Sequence, residues 1–122
     1  MADPAAEPID LDHLNGYTGG DGVLNRQILG LFDGQCLEII EKLAELAGRG
    51  ETEAAAKNWR EVAHSLKGAA RGIGAFGLGE VAAQVEKTSL ANHSQVLEAL
   101  QRLKVEAAQV HRFIDDLTKE PA

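Results

Sequence analysis

Residues 53–73 read EAAAKNWREVAHSLKGAARGI. At about 100° per residue, with His64 at zero, this segment separates into two faces on a helical wheel. Within about 60° of His64 fall Lys57, Arg60, Glu61, Lys67, Gly68 and Arg71. On the far side fall Ala55, Trp59, Val62, Leu66, Ala69 and Ile73. An apolar stripe belongs against a core. The spacing therefore predicts a helix from about Thr52 to about Gly72, with His64 facing solvent from its middle.

The same period runs outward in both directions. A further helix is predicted from about Ala75 to Ser89. Asn92 then caps a last one to about Lys119, with Val96, Leu100, Leu103, Val110, Phe113, Ile114 and Leu117 as its apolar set. Upstream, Asp21 caps a helix whose apolar residues are Leu24, Ile28, Leu31, Phe32, Ile39, Leu43 and Leu46, ended by Gly48 and Gly50. Gly30 and Gly34 inside it each cost roughly 1 kcal/mol relative to Ala; close helix contact would explain them. Ile9, Leu11 and Leu14 suggest a short first helix, stopped by the glycine-rich run Gly16 to Gly22. Four long amphipathic helices with short links predict an all-α fold, an antiparallel up-down-up-down four-helix bundle with a short N-terminal lead helix. The predicted organisation is a disordered lead over 1–8, the bundle over 9–119 and a frayed end over 120–122.

Composition agrees with helix. Aromatic residues are 4% of the 122, and alternating apolar runs are missing. With 12 basic against 19 acidic residues the formal net charge is -7, which argues against general binding to nucleic acid or an anionic membrane. No apolar stretch approaches the roughly 18 residues that suggest a membrane span, and no secretory leader is visible; a cytoplasmic location is expected. Cys36, the single cysteine, sits among Leu31, Phe32, Ile39 and Ile40 and is read as a small core residue.

On this acidic chain the face around His64 is locally cationic, carrying Lys57, Arg60, Lys67 and Arg71 against Glu61. Such a stripe suits an anionic visitor. Lys67 stands one turn from His64, close enough for its ammonium to hydrogen-bond a phosphoryl oxygen carried on the ring. Gly68 weakens the helix but removes a side chain beside the imidazole, so that another surface can approach. A lone surface histidine is ordinarily just solvated; Lys67 and Gly68 together make this one a candidate for chemistry.

The run His64-Ser65-Leu66-Lys67-Gly68-Ala69-Ala70, followed by Ile73-Gly74-Ala75, closely resembles the signature of histidine-phosphotransfer (HPt) domains, His-x-Leu-Lys-Gly-small-small and then aliphatic-Gly. The helical layout over roughly Leu11 to Leu117 is similar to that family as well. The resemblance implies a phosphocarrier without kinase activity or bound nucleotide. It would pass a phosphoryl group between a sensor (hybrid) histidine kinase or its receiver domain and the aspartate of a response-regulator receiver. It implies His64 as the phosphorylated residue, Lys67 as the stabilising cation and Gly68 as clearance for the receiver. Arg60, Glu61 and Arg71 complete the expected docking face. If the third and fourth helices turn near Ala75, His64 lies level with Glu86, where HPt domains often hold a Gln or Glu. A carboxylate accepting from Nδ1–H leaves Nε2 as nucleophile. No cofactor is expected on this chain, since Mg²⁺ would come from the receiver's own carboxylates. A monomer is expected. The alternative is an unphosphorylated adaptor of the same fold that binds a histidine kinase or receiver.

Other signals are set aside. Gly72-Ile73-Gly74-Ala75-Phe76-Gly77 fits G-x-G-x-x-G, but a helix precedes it, where a dinucleotide site needs a strand; these glycines are read as turn punctuation. His13, His64, His93 and His111 lack the spacing of a bundle metal site, and His13, His93 and His111 are read as solvated.

Overall fold

A computed structural model describes residues 7–49 and 52–119. The described chain is all-helical: α1 (Leu11–Thr18), α2 (Gly22–Gly48), α3 (Glu53–Gly72), α4 (Phe76–Lys87) and α5 (His93–Lys119). None of these helices is long and apolar enough to cross a membrane. Of the disordered lead expected over 1–8, residues 1–6 lie outside the described residues, while Glu7 and Pro8 are described as a bend; the fraying of 120–122 and Gly50 as a helix end also lie outside the described residues.

Side-chain caps start four of the helices. Asp10 accepts from His13 N, Asp21 from Val23 N and Leu24 N, and Thr52 from Ala55 N. Asn92 Oδ1 accepts from Gln95 N. Each satisfies backbone donors that the first turn leaves unpaired. α1 runs through Gly16 and ends two residues later, where Gly19 adopts φ 68°. α4 is shorter than its pattern suggested, because Thr88 turns extended.

The core forms where α2, α3, α4 and α5 turn their apolar stripes together. Leu29, Leu43, Ala63, Leu66, Ala70, Leu78, Ala82, Val85 and Leu103 are fully buried. Trp59 lies among them and donates from Nε1 to Val85 O at 2.8 Å, locking α3 to α4. Asn25 is the buried polar exception among the described residues. It accepts from Thr18 Oγ1 at 2.6 Å and donates to Asn15 Oδ1 at 2.7 Å, which clasps α1 to α2. Cys36 is buried as expected, and burial, with the nearby Asp33 carboxylate, pushes its thiol up to about 11.

Three expectations about side chains change. Leu24 and Leu31 of α2 are exposed, Leu31 at 70%. The buried line of that helix runs Asn25, Leu29, Phe32, Cys36, Leu43, Leu46, which leaves Leu31 about 100° off it. Gly30 and Gly34 face open space, so close helix contact does not explain them. His13 is half-buried between the rings of Tyr17 and Phe76, with centroids 5.3 and 5.0 Å away. Its Nε2 is buried and finds no hydrogen-bond partner among the described residues.

The α3–α4 turn fixes the geometry of the site. Ala75 N bonds Ala70 O and Gly74 N bonds Arg71 O, the paired bonds of a Schellman ending with Gly74 in the left-handed position at φ 90°. Of the three glycines in 72–77, only Gly74 punctuates the turn; Gly72 ends α3 and Gly77 lies inside α4. A Cβ on Gly74 would sit 2.5 Å from Asp10 O, and Gly74 O accepts from Asp10 N at 2.9 Å. Gly74→Ala is therefore expected to destabilise the chain by about 2 kcal/mol, the sum of dihedral strain and a displaced lead segment. A lowered midpoint in urea-induced unfolding, measured by tryptophan fluorescence, checks it.

Candidate functional site

His64 occupies the middle of α3, away from both helix ends, with its side chain 65% exposed. Contacts between α3 and α4 run in opposite order along the two helices. Near the turn a Cβ on Gly79 would stand 2.9 Å from Arg71 Cγ, and farther out His64 meets Glu86. The small Gly79 lets the two backbones approach. That proximity brings the Glu86 carboxylate level with the imidazole, where counting from the turn placed it.

Glu86 makes two bonds. His64 Nδ1 lies 2.8 Å from Oε1, and Lys67 Nζ donates to Oε2 at 2.9 Å. The Lys67 ammonium first, and then the His64 ring, hold the Glu86 carboxyl below the usual carboxylate range against partial desolvation. An ionised carboxylate only accepts, so the ring nitrogen facing it carries the proton. Nε2 is then the nitrogen with a free lone pair. An exposed imidazole, a carboxylate and an ammonium thus stand together on adjacent faces of two helices.

Lys67 does not project freely outward, as the helical wheel alone implied. Its side chain is 21% exposed, like that of Glu86 at 22%. The reason is the position of the core stripe. Ala63 and Ala70 are fully buried, while Val62 and Ala69 are only partly so. The buried stripe is thereby rotated by roughly 40° toward Lys67, which lands on the margin facing α4.

Of the other predicted site residues, Arg60, Glu61, Gly68 and Arg71 are all exposed on α3. None joins the three-residue cluster, although Arg60 and Lys87 line the same cleft as Glu86. Glu61 pairs weakly with Lys57 at 3.9 Å. A Cβ on Gly68 would meet nothing within 4 Å, so that position is open to the outside. His93 is exposed, while His111 is exposed but bonded through Nδ1 to Asp33 on α2 at 2.8 Å. Leu24 and Leu31 were missed as surface residues. On the α2 wheel they lie opposite the α5-facing Asp33, Leu37 and Ala44, hence on the side of α3. Nothing in their spacing separates an exposed leucine from a buried one. Among the described residues, no three His, Cys, Asp or Glu side chains are grouped to hold a metal ion.

Fold and site define a helical domain with an exposed histidine in mid-helix, bonded to a carboxylate that is itself paired with a lysine. A family model described as Hpt domain matches residues 27–117. The chain belongs to the Hpt domain family. Members of that family are phosphocarriers of histidine phosphotransfer in two-component signalling, and their partners are kinases and response regulators. No curated protein and no solved structure matches the chain.

Proposed function

We propose that this chain is a phosphorelay intermediate. His64 accepts a phosphoryl group from the aspartate of a kinase-linked receiver and passes it to the aspartate of a response regulator. One observation carries the reading: an exposed imidazole, bonded through Nδ1 to a Glu86 carboxylate that also holds the Lys67 ammonium, so that Nε2 is left as the nitrogen with a free lone pair. Nε2 attacks phosphorus in line, and the acyl-phosphate oxygen leaves with its electron pair. Positioning and electrostatics carry such a transfer. Lys67 supplies the cation on this side, and the receiver supplies the Mg²⁺ held by its own carboxylates.

Arg60, Glu61 and Arg71, with the open surface at Gly68, form the docking face, and the exposed Leu24 and Leu31 extend it with apolar area. The contacts between neighbouring helices support an up-down-up-down bundle with α1 as lead. Besides the α3–α4 pairs, Gln84 meets Arg102, and Gly77 lies against Glu106. The chain works as a cytoplasmic monomer on this reading.

The test is labelling of the purified chain by a phosphorylated receiver, followed by mapping of the modified residue. Label on His64, stable in alkali and lost in acid, supports the proposal; receiver binding with His64 unlabelled supports the adaptor instead. Two variants refine it. Lys67→Ala is expected to slow transfer by about 10–100-fold, the loss of one charge-assisted contact in the transition state, with far-ultraviolet circular dichroism unchanged. Gly68→Gln is expected to weaken receiver binding about tenfold in calorimetry while raising the melting temperature slightly, since Gln is the better helix former.

A further inference from the structure

The Lys67–Glu86 bond imposes a condition on the relay. A histidine that must both accept and give up a phosphoryl group needs opposite charge states in the two steps. As nucleophile its ring must be neutral, because an imidazolium has no free lone pair. As leaving group it must keep a proton on Nδ1, because otherwise the departing ring is an imidazolate. A lone carboxylate beside Nδ1 favours the protonated ring in both states, which suits the second step and harms the first.

Building on the phosphocarrier reading above, we propose that Lys67 changes partner during the cycle: it neutralises Glu86 while His64 is free, and moves to the phosphoryl group once His64 carries one, leaving the whole Glu86 charge to hold the phosphorylated ring in its protonated form. Glu86 is thus a positioning residue whose influence on His64 is switched by Lys67. The geometry provides for this. Separate oxygens of one carboxylate serve the two partners, at 2.8 and 2.9 Å, so either bond can break without the other. Lys67 stands one turn from His64 on the same helix, within reach of a group on the ring. A phosphoryl group carries about two negative charges against one on Glu86, so it competes well for the ammonium.

The step balances without proton transfer. On acceptance, the Nε2 lone pair forms the N–P bond, and the P–O bond electrons leave with the donor aspartate. The ring, still protonated at Nδ1, becomes a phosphoimidazolium facing the carboxylate. On donation the receiving aspartate oxygen bonds phosphorus, and the N–P electrons return to Nε2. The neutral ring, its Nδ1–H still on Glu86, is restored.

Other charges act on the ring and must stay constant in a test. On α3 these are Lys57, Arg60, Glu61 and Arg71. α4 carries Glu80 and Lys87, and α2 carries Glu38 and Lys42, which the helical wheel puts on the same flank as Leu31. Glu86→Gln keeps an acceptor of the same shape and alters none of them. The ring titration of His64 is followed by proton NMR, assigned by its absence in His64→Gln, in the wild type, Glu86→Gln, Lys67→Met and the double variant. Each is measured free and after labelling with phosphoramidate.

In the free protein Glu86→Gln is expected to move the His64 midpoint little when Lys67 is present and about one pH unit downward in the Lys67→Met background. In the phosphoprotein Glu86→Gln lowers the midpoint by about one unit with Lys67 present. Transfer to a receiver then slows about tenfold above the midpoint and changes little below it. Equal shifts in the free and labelled protein, or the same free-state shift with and without Lys67, overturn the exchange. Absence of label on wild-type His64 overturns the relay itself. The free-state comparison then still decides whether Lys67 masks Glu86.

Discussion

Replacing His64 with Gln is expected to reduce phosphoryl acceptance to background while leaving stability within about 0.5 kcal/mol of the parent. The two halves of this result have separate physical causes. The His64 side chain is 65% exposed and its one hydrogen bond among the described residues is to Glu86, so removing the ring opens no cavity. Gln keeps a donor that can still reach the Glu86 carboxylate. It has no nucleophilic nitrogen, because the amide lone pair is delocalised into the carbonyl. Lys67, Glu86 and Gly68 remain in place but have nothing to orient. Radiolabel transfer from a phosphorylated receiver measures the first half, and thermal unfolding followed at 222 nm measures the second. Label retained in the variant would place the acceptor elsewhere and end the phosphocarrier reading.

Trp59→Ala is expected to produce the largest loss of stability, about 3–5 kcal/mol. The ring is 1% exposed at the point where α3 meets α4. Truncation removes apolar area and leaves a cavity that Ala55, Ala63 and Val85, small or helix-bound, cannot fill by rotating. The lost bond from Nε1 to Val85 O adds less, because that carbonyl also accepts from Thr88 N at 3.1 Å. Trp59→Phe separates the contributions and is expected to cost less than half as much. Because Trp59 pins α4 beside α3, the alanine variant should also loosen the register of Glu86 against His64. Slower labelling of the fraction that remains folded is the expected consequence. Unfolding in urea by circular dichroism gives the stability, and a change below about 1 kcal/mol would contradict the packing seen at this position.

Much of the fold is legible because its signals are local. Asp21 and Asn92 act as the caps their side-chain chemistry suggests, and α3 begins where its pattern does, with Thr52 as its cap. The apolar period of α3 identifies a solvent face with His64 at its centre, and a count from the turn at Ala75 reaches Glu86. The misreadings arise where one wheel admits several solutions. Leu31 and Phe32 both fit a three-four spacing, and only the placement of α3 and α5 around α2 decides which is buried. His13 carries no local sign that Phe76, from the other side of the α3–α4 turn, closes over it.

From the sequence alone followed the all-helical character, the outward imidazole and the identity of its neighbours along one helix, because periodicity and capping act within a few turns. Tertiary structure alone decided the environment of Lys67. Where the core stripe falls on α3 depends on how two other helices pack against its sides. That packing turns Lys67 toward a carboxylate 19 residues away in sequence and away from solvent. The charge state of the site is therefore a property of the α3–α4 interface, which no single helix encodes.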